Sequence, residues 1–182
     1  SITGLDFKPD LVWIKSRSFG NNHHMFDIIR GPDKILRTST SDVETEVTDV
    51  MSSFDSNGFT VKEGGGNNAT NANGQQLVAW CWKAGGAGSS NSNGTITSSV
   101  SVNQEAGFSI VTWTGDGNVN STVGHGLNGR PDFIMLKART HGANWRVYHN
   151  YYGTNATSGL FHTTGSSVCL LYTSPSPRDT LL

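Results

Sequence analysis

Several groups of residues in this chain are of types that do chemistry. Glu44, Glu46 and Asp49 bring three carboxylates into one short stretch, and carboxyl groups a short distance apart can share acid and nucleophile roles in glycoside hydrolysis. Their apolar neighbours argue for another use. Val43, Val47, Val50, Met51 and Phe54 follow helical spacing, and Ser41 with Glu44 forms a capping box. A short surface helix is therefore expected within Ser41 to Phe54, near residues 42–53, with the carboxylates turned to solvent. The six histidines, including the pair His23-His24, lack zinc-ligand spacing and any accompanying Cys or carboxylate cluster. No metal and no cofactor is expected. Asp116-Gly117-Asn118 offers oxygen atoms suited to Ca²⁺ but lacks the run of acidic ligands that a calcium loop uses, so it reads as a turn.

Aromatic residues supply the candidate binding surface. Trp145, Tyr148, Tyr151 and Tyr152, with Asn144, Arg146 and Asn150 beside them, are the candidate carbohydrate-binding residues. Sugar rings stack their CH faces on Trp and Tyr while neighbouring polar side chains bond the hydroxyls. Half-buried strands favour aromatics too, and Trp80, Trp82 and Trp113 are read as core. No catalytic residue is assigned, and the chain is expected not to be an enzyme.

These residues sit on a frame that is used twice. At a constant offset of 122, Gly4, Leu5, Pro9, Asp10, Lys15, Arg17, Gly20 and Asn22 reappear as Gly126, Leu127, Pro131, Asp132, Lys137, Arg139, Gly142 and Asn144. Val12, Ile14 and Phe26 become Ile134, Leu136 and Tyr148, so residues 4–27 and 126–149 share one strand-and-turn pattern. The runs Leu11 to Ile14 and Phe133 to Leu136 suit strands covered on both faces. Phe26 to Ile29 and Trp145 to Tyr148 return after small-residue turns as hairpin partners. Gly58 to Val61, Leu77 to Trp82 and Gly107 to Trp113 are further strands. The expected organisation is a first module over 1–86, a connector and the start of the next strand over 87–104, and a second module over 105–168. Neither copy is whole, and Gly107 to Trp113 is expected to occupy the position vacated in the first, giving one permuted sandwich. Ala84 to Asn93 is rich in Gly, Ser and Asn and reads as flexible. Gly64 to Gly74 reads as a long polar loop.

Composition agrees with this frame. Only 15% of the 182 residues are charged, and Gly, Ser, Thr and Asn take their place, which is the signature of short strands and many turns. A net charge of −1 gives no long-range attraction to nucleic acid or an anionic membrane. No apolar run reaches the roughly 20 residues of a membrane span. If Cys169 is set aside, Cys81 is the sole cysteine and no intrachain disulfide forms.

The motif set Gly-Leu-x-x-x-Pro-Asp, Lys-x-Arg, Phe-Asp-Ser-Asn-Gly-Phe at 54 to 59, Val-Ala-Trp-Cys-Trp-Lys-Ala-Gly-Gly at 78 to 86 and Gly-Phe-Ser-Ile-Val-Thr-Trp-Thr-Gly at 107 to 115 resembles a repeated domain of virion and tail-associated proteins of marine tailed bacteriophages. The resemblance covers residues 1–168. It implies an all-β antiparallel sandwich, lectin-like or jelly-roll, in a structural protein of a tail or tail fibre. It places the protein on the virion after synthesis in the host cytoplasm. Expected partners are other virion proteins or copies of this chain, with host-surface polysaccharide as a candidate ligand. The alternative is a glycoside hydrolase. Glu44-x-Glu46-x-x-Asp49 loosely resembles the Glu-x-Asp-x-x-Glu motif of β-sandwich glucanases, with the acid types exchanged. Cys169 to Asp179 resembles the translation of a transposon-based sequencing adapter. Residues 169–182 are therefore expected to be non-native, and the chain, which begins at Ser1 without Met, to be an interior fragment from environmental DNA.

Overall fold

Strand Leu11–Ser16 (β2) alternates strictly: Val12, Ile14 and Ser16 are buried on one side, and Leu11, Trp13 and Lys15 are half-buried on the other. The computed structural model describes residues 1–150 and the backbone of Gly159–Leu160, and β2 lies inside its largest sheet. That sheet runs in the order Thr45–Glu46 (β5), Gly31–Arg37 (β4), His24–Asp27 (β3), β2 and Leu77–Trp82 (β8), with every pairing antiparallel. A second sheet is formed by Ile2–Thr3 (β1), Gly58–Val61 (β7) and Met51–Asp55 (β6). Val12, Ile14, Phe26 and Ile35 from the first sheet meet Val50, Met51, Phe54 and Phe59 from the second and its approach. The result is an antiparallel β-sandwich with one main core.

The hairpin is repeated in structure as in sequence. In the first copy β2 and β3 pair Leu11 with Asp27, Val12 with Phe26, Trp13 with Met25 and Ile14 with His24. In the second, Phe133–Leu136 (β12) and Arg146–His149 (β13) pair Phe133 with His149, Ile134 with Tyr148, Met135 with Val147 and Leu136 with Arg146. Adding 122 to each number of the first set reproduces the second. The closing bond repeats too: the Ile28 amide donates to the Asp10 carbonyl at 2.8 Å and the Asn150 amide to the Asp132 carbonyl at 2.7 Å. A third strand, Gly159–Leu160 (β14), follows β13 as β4 follows β3.

Two expectations are corrected. Ser41 to Phe54 forms no helix; Thr45–Glu46 is a short strand and Met51–Asp55 a longer one. A β-bulge explains the misleading spacing: Met51 pairs with Val61 but Ser53 with Thr60, so Ser52 is an extra residue, and Met51 and Phe54, three apart, both face the core. Ala84 to Asn93 is not a free connector. Ser89–Asn91 (β9) pairs with Ser98–Asn103 (β10), which pairs with Phe108–Trp113 (β11). The glycines here permit close contact: a Cβ on Gly85 would lie 2.4 Å from the Val102 carbonyl oxygen, and one on Gly88 would lie 2.4 Å from Ser99 Oγ. Consequently β11 joins a three-stranded sheet of its own and neither sheet of the sandwich.

Asp10 fastens this sheet to the sandwich. Its buried carboxylate accepts from the Ala84 amide at 2.7 Å and the Gly86 amide at 3.2 Å. Its counterpart Asp132 is exposed and accepts from the Asn150 side chain. Removing a buried charged acceptor strands its donors, at about 1.5 to 3 kcal/mol. Asp10→Ala is expected to lower unfolding stability by about 2 kcal/mol in urea titration, whereas Asp132→Ala is expected to leave the midpoint nearly unchanged.

Candidate functional site

The outer face of the five-stranded sheet carries the features with functional potential. Leu11, Trp13, Met25 and Leu36 form a second apolar cluster there, and Trp145 and Met135 of the repeated hairpin complete it. Trp145 is only 3% exposed, and its indole N–H donates to the Arg37 carbonyl at 3.0 Å. Backbone bonds extend the seam: the Glu44 amide donates to the Arg139 carbonyl at 2.9 Å and the Ala143 amide to the Ser41 carbonyl at 3.0 Å. The offset of 122 makes Met135 the counterpart of Trp13 and Trp145 that of His23. The two copies thus meet back to back through equivalent faces.

Charge pins the seam at one side. Asp27, with a nearly buried side chain, accepts from the Ile29 and Arg30 amides and from Arg30 Nε. Arg30 Nη1 reaches Glu44 at 3.2 Å and the Lys34 carbonyl at 3.0 Å. Arg139 then grips Glu44 with two bonds, Nε to Oε2 at 2.9 Å and Nη2 to Oε1 at 2.8 Å. Burial pushes the Glu44 carboxyl up, but hydrogen bonds from Arg139 and the Arg30 charge more than offset it, and the group is held below its ordinary value. Glu46 pairs with Lys34. Glu44 is therefore held ionised in an ion-pair network, the opposite of a catalytic acid's environment.

The aromatic candidates are dispersed. Trp145 is a docking residue and has no face open to a sugar, which corrects its expected place in a binding surface. Tyr148 is half-buried, with Arg130 over its ring at 5.5 Å to the centroid and also bonded to its hydroxyl. Asn144 and Arg146 are exposed. Tyr151 and Tyr152 lie outside the described residues. Trp80 and Trp113, read as core, are 44% and 42% exposed. Trp80 packs on Trp13 with centroids 5.5 Å apart, and Trp13 on His23 at 6.0 Å. Trp82 is half-buried and stacked on Phe108. The sequence marks Glu44 but not its partners Arg30 and Arg139, because nothing local signals a contact across so many residues.

Other reactive types are committed to structure. The carboxylate of Asp116 accepts from Ser121 and Asn118 within its own turn, and these bonds pull it down to about 2. Burial raises the Cys81 thiol above its ordinary value, which suppresses thiolate character. Among the described residues no group of three or more His, Cys, Asp or Glu is placed to hold a metal ion, and no helix is long and apolar enough to cross a membrane.

A family model described as a domain of unknown function (DUF7483) matches residues 1–175. The chain belongs to this family. No curated protein and no solved structure matches it. The family match extends past Cys169, and residues 169–182 lie outside the described residues.

One measurement tests the seam and a second tests the opposite, core-facing side of the five-stranded sheet. Truncating a buried Trp typically costs about 3 to 5 kcal/mol, so Trp145→Ala is expected to destabilise the docked hairpin by that order in denaturant titration. The second concerns His24, 1% exposed and with Nε2 lacking a hydrogen-bond partner among the described residues. Burial first, and the Arg37 charge second, bring its imidazole from 6.5 down to about 4. The unfolded chain then takes up the proton before the folded one, so this group's stability is full above pH 6.5. It falls by about 3 kcal/mol as pH drops toward 4. A His24→Gln variant is expected to show a flatter stability profile across that window by urea midpoint.

Proposed function

We propose that this domain is a non-enzymatic structural module of a bacteriophage virion, carried on a tail or tail fibre, that contributes to assembly and to adhesion at host-surface glycans. The observation that carries this reading is the back-to-back docking of two copies of one hairpin. Identical register is retained while residues at equivalent places differ: Asp27 becomes His149, His23 becomes Trp145 and Trp13 becomes Met135. Repetition with a kept frame and varied surface suits an array in which each unit buries its neighbour's apolar face. Avidity then multiplies weak surface contacts. The phage setting rests on the resemblance of the sequence motifs.

The hydrolase reading draws no support from the carboxylates. Glu44 is clamped by two arginines and Glu46 by Lys34, whereas hydrolysis needs one carboxyl kept protonated beside another across a groove. For adhesion, Trp80 is 44% exposed and packs beside a second indole ring, Trp13, and it replaces Trp145 as the residue to test. The protein is expected to bind host cells or their polysaccharide without releasing reducing ends, and Trp80→Ala to weaken that binding with the circular dichroism spectrum unchanged. Immunogold labelling of purified particles is expected to decorate the tail. Release of reducing ends that Glu44→Gln abolishes, or particles that carry no label, would refute the reading.

A further inference from the structure

Four Asn-Gly pairs occur in this sequence: Asn57-Gly58, Asn73-Gly74, Asn93-Gly94 and Asn128-Gly129. Asparagine before glycine is prone to cyclise on its own backbone, because glycine has no Cβ to keep its amide nitrogen away from the preceding side chain. The attack needs three freedoms. The Asn side chain must swing toward its own backbone, the next amide must not be held as a donor, and the local backbone must have room to turn.

The fold removes at least one of these at three of the pairs. Asn57 Oδ1 accepts from the Gly4 amide at 3.3 Å and the Asp6 amide at 2.8 Å, and Gly58 is buried where β7 pairs with β1 and β6. A Cβ on Gly58 would lie 1.9 Å from the Ile2 carbonyl oxygen, so the backbone has no room to turn. The Gly94 amide donates to the Ser92 carbonyl at 2.9 Å, and a Cβ on Gly94 would lie 2.6 Å from the Thr122 carbonyl oxygen. Asn128 Nδ2, the nitrogen that would leave, donates to Gln104 Oε1 at 3.1 Å.

Asn73 keeps all three freedoms. Ala72 to Gln75 is a four-residue turn in which the Gln75 amide donates to the Ala72 carbonyl at 3.0 Å. The Gln75 side chain secures it, with Oε1 accepting from the Ala72 amide at 3.3 Å and Nε2 donating to the Ala69 carbonyl at 3.2 Å. These bonds fasten the ends of the turn and leave its tip open. Asn73 and Gly74 are exposed, Gly74 has a φ of 75°, and nothing lies within 4 Å of where its Cβ would be. Among the described residues neither the Asn73 side chain nor the Gly74 amide makes a hydrogen bond.

We propose that Asn73 is a self-modification site, at which the folded protein deamidates through its own backbone. The Gly74 nitrogen attacks Asn73 Cγ; the N–Cγ bond forms as the Cγ–Nδ2 bond breaks, and the Gly74 amide proton departs with Nδ2 as ammonia. Water then opens the resulting succinimide, with no change of oxidation state. Opening at Cγ leaves an aspartate, and opening at the backbone carbonyl leaves an isoaspartate whose chain runs on through Cγ. Either product adds a negative charge to the loop that leads into β8, and the isoaspartate also inserts a carbon into the turn that Gln75 closes.

Peptide mapping by mass spectrometry tests the assignment, with folded and urea-unfolded chain incubated side by side at mildly alkaline pH. In the unfolded chain the four pairs are expected to convert at similar rates. In the folded protein Asn73 is expected to stay close to its unfolded rate while the other three slow by about tenfold or more, since each hydrogen bond that must open first holds back the attack by up to about that factor. Asn73→Gln, whose longer side chain disfavours the five-membered ring, is expected to abolish most isoaspartate formation with the circular dichroism spectrum unchanged. Conversion at Asn57, Asn93 or Asn128 that keeps pace with Asn73 in the folded protein overturns the proposal, as does an Asn73 that stays intact there.

Discussion

Strand β2 is enclosed on every side, and the architecture depends on that enclosure. Val12 and Ile14 close the sandwich core, Leu11 and Trp13 enter the second apolar cluster with Trp145, β3 and β8 occupy both edges, and Asp10 at its start ties down the segment after β8. A strand buried on both faces has to be apolar in succession, which is what Leu11 to Ile14 is. Relaxing any one side would open the others, since interiors close-packed on this scale transmit a void to their neighbours.

The second hairpin inherits this frame under different conditions. Its outward face is used, as the Trp145 and Met135 contacts attest, while Ile134 and Tyr148, which correspond to the core residues Val12 and Phe26, are only half-buried and Leu136 is exposed. One pattern therefore serves as central strand pair in the first copy and as docking hairpin in the second. Varied residues at equivalent places carry the difference. His23 and Trp145 illustrate it: the same turn position holds a half-buried imidazole beside Trp13 in one copy and the buried anchor of the seam in the other. The charge network of Asp27, Arg30, Glu44 and Arg139 has no repeated equivalent, because His149 stands where the second copy would need the aspartate.

Carboxylates and aromatics lead in different directions here. Of the carboxylates that looked available for chemistry, Glu44 is held by arginine and Glu46 by lysine, and a fixed bidentate ion pair favours orientation of one element on another more than it favours proton transfer. Aromatic residues divide between anchoring and exposure, with Trp145 inside and Trp80 outside.

Much was legible along the chain itself. Alternation and continuous apolar runs located β2, β7, β8, β11 and β12 to within a residue or two at each end, the composition announced an all-β fold, and the offset of 122 revealed a hairpin whose register repeats residue for residue. Such signals are local or periodic, and backbone geometry reads them directly. Tertiary structure decided the rest. The bulge at Ser52 turned a helical spacing into a strand, packing around Gly85 and Gly88 converted an apparent linker into a pinned segment, and Trp145 passed from presumed surface to interior. Each of these outcomes depends on a partner far away in sequence, and a residue's own neighbours carry no record of which distant face will cover it.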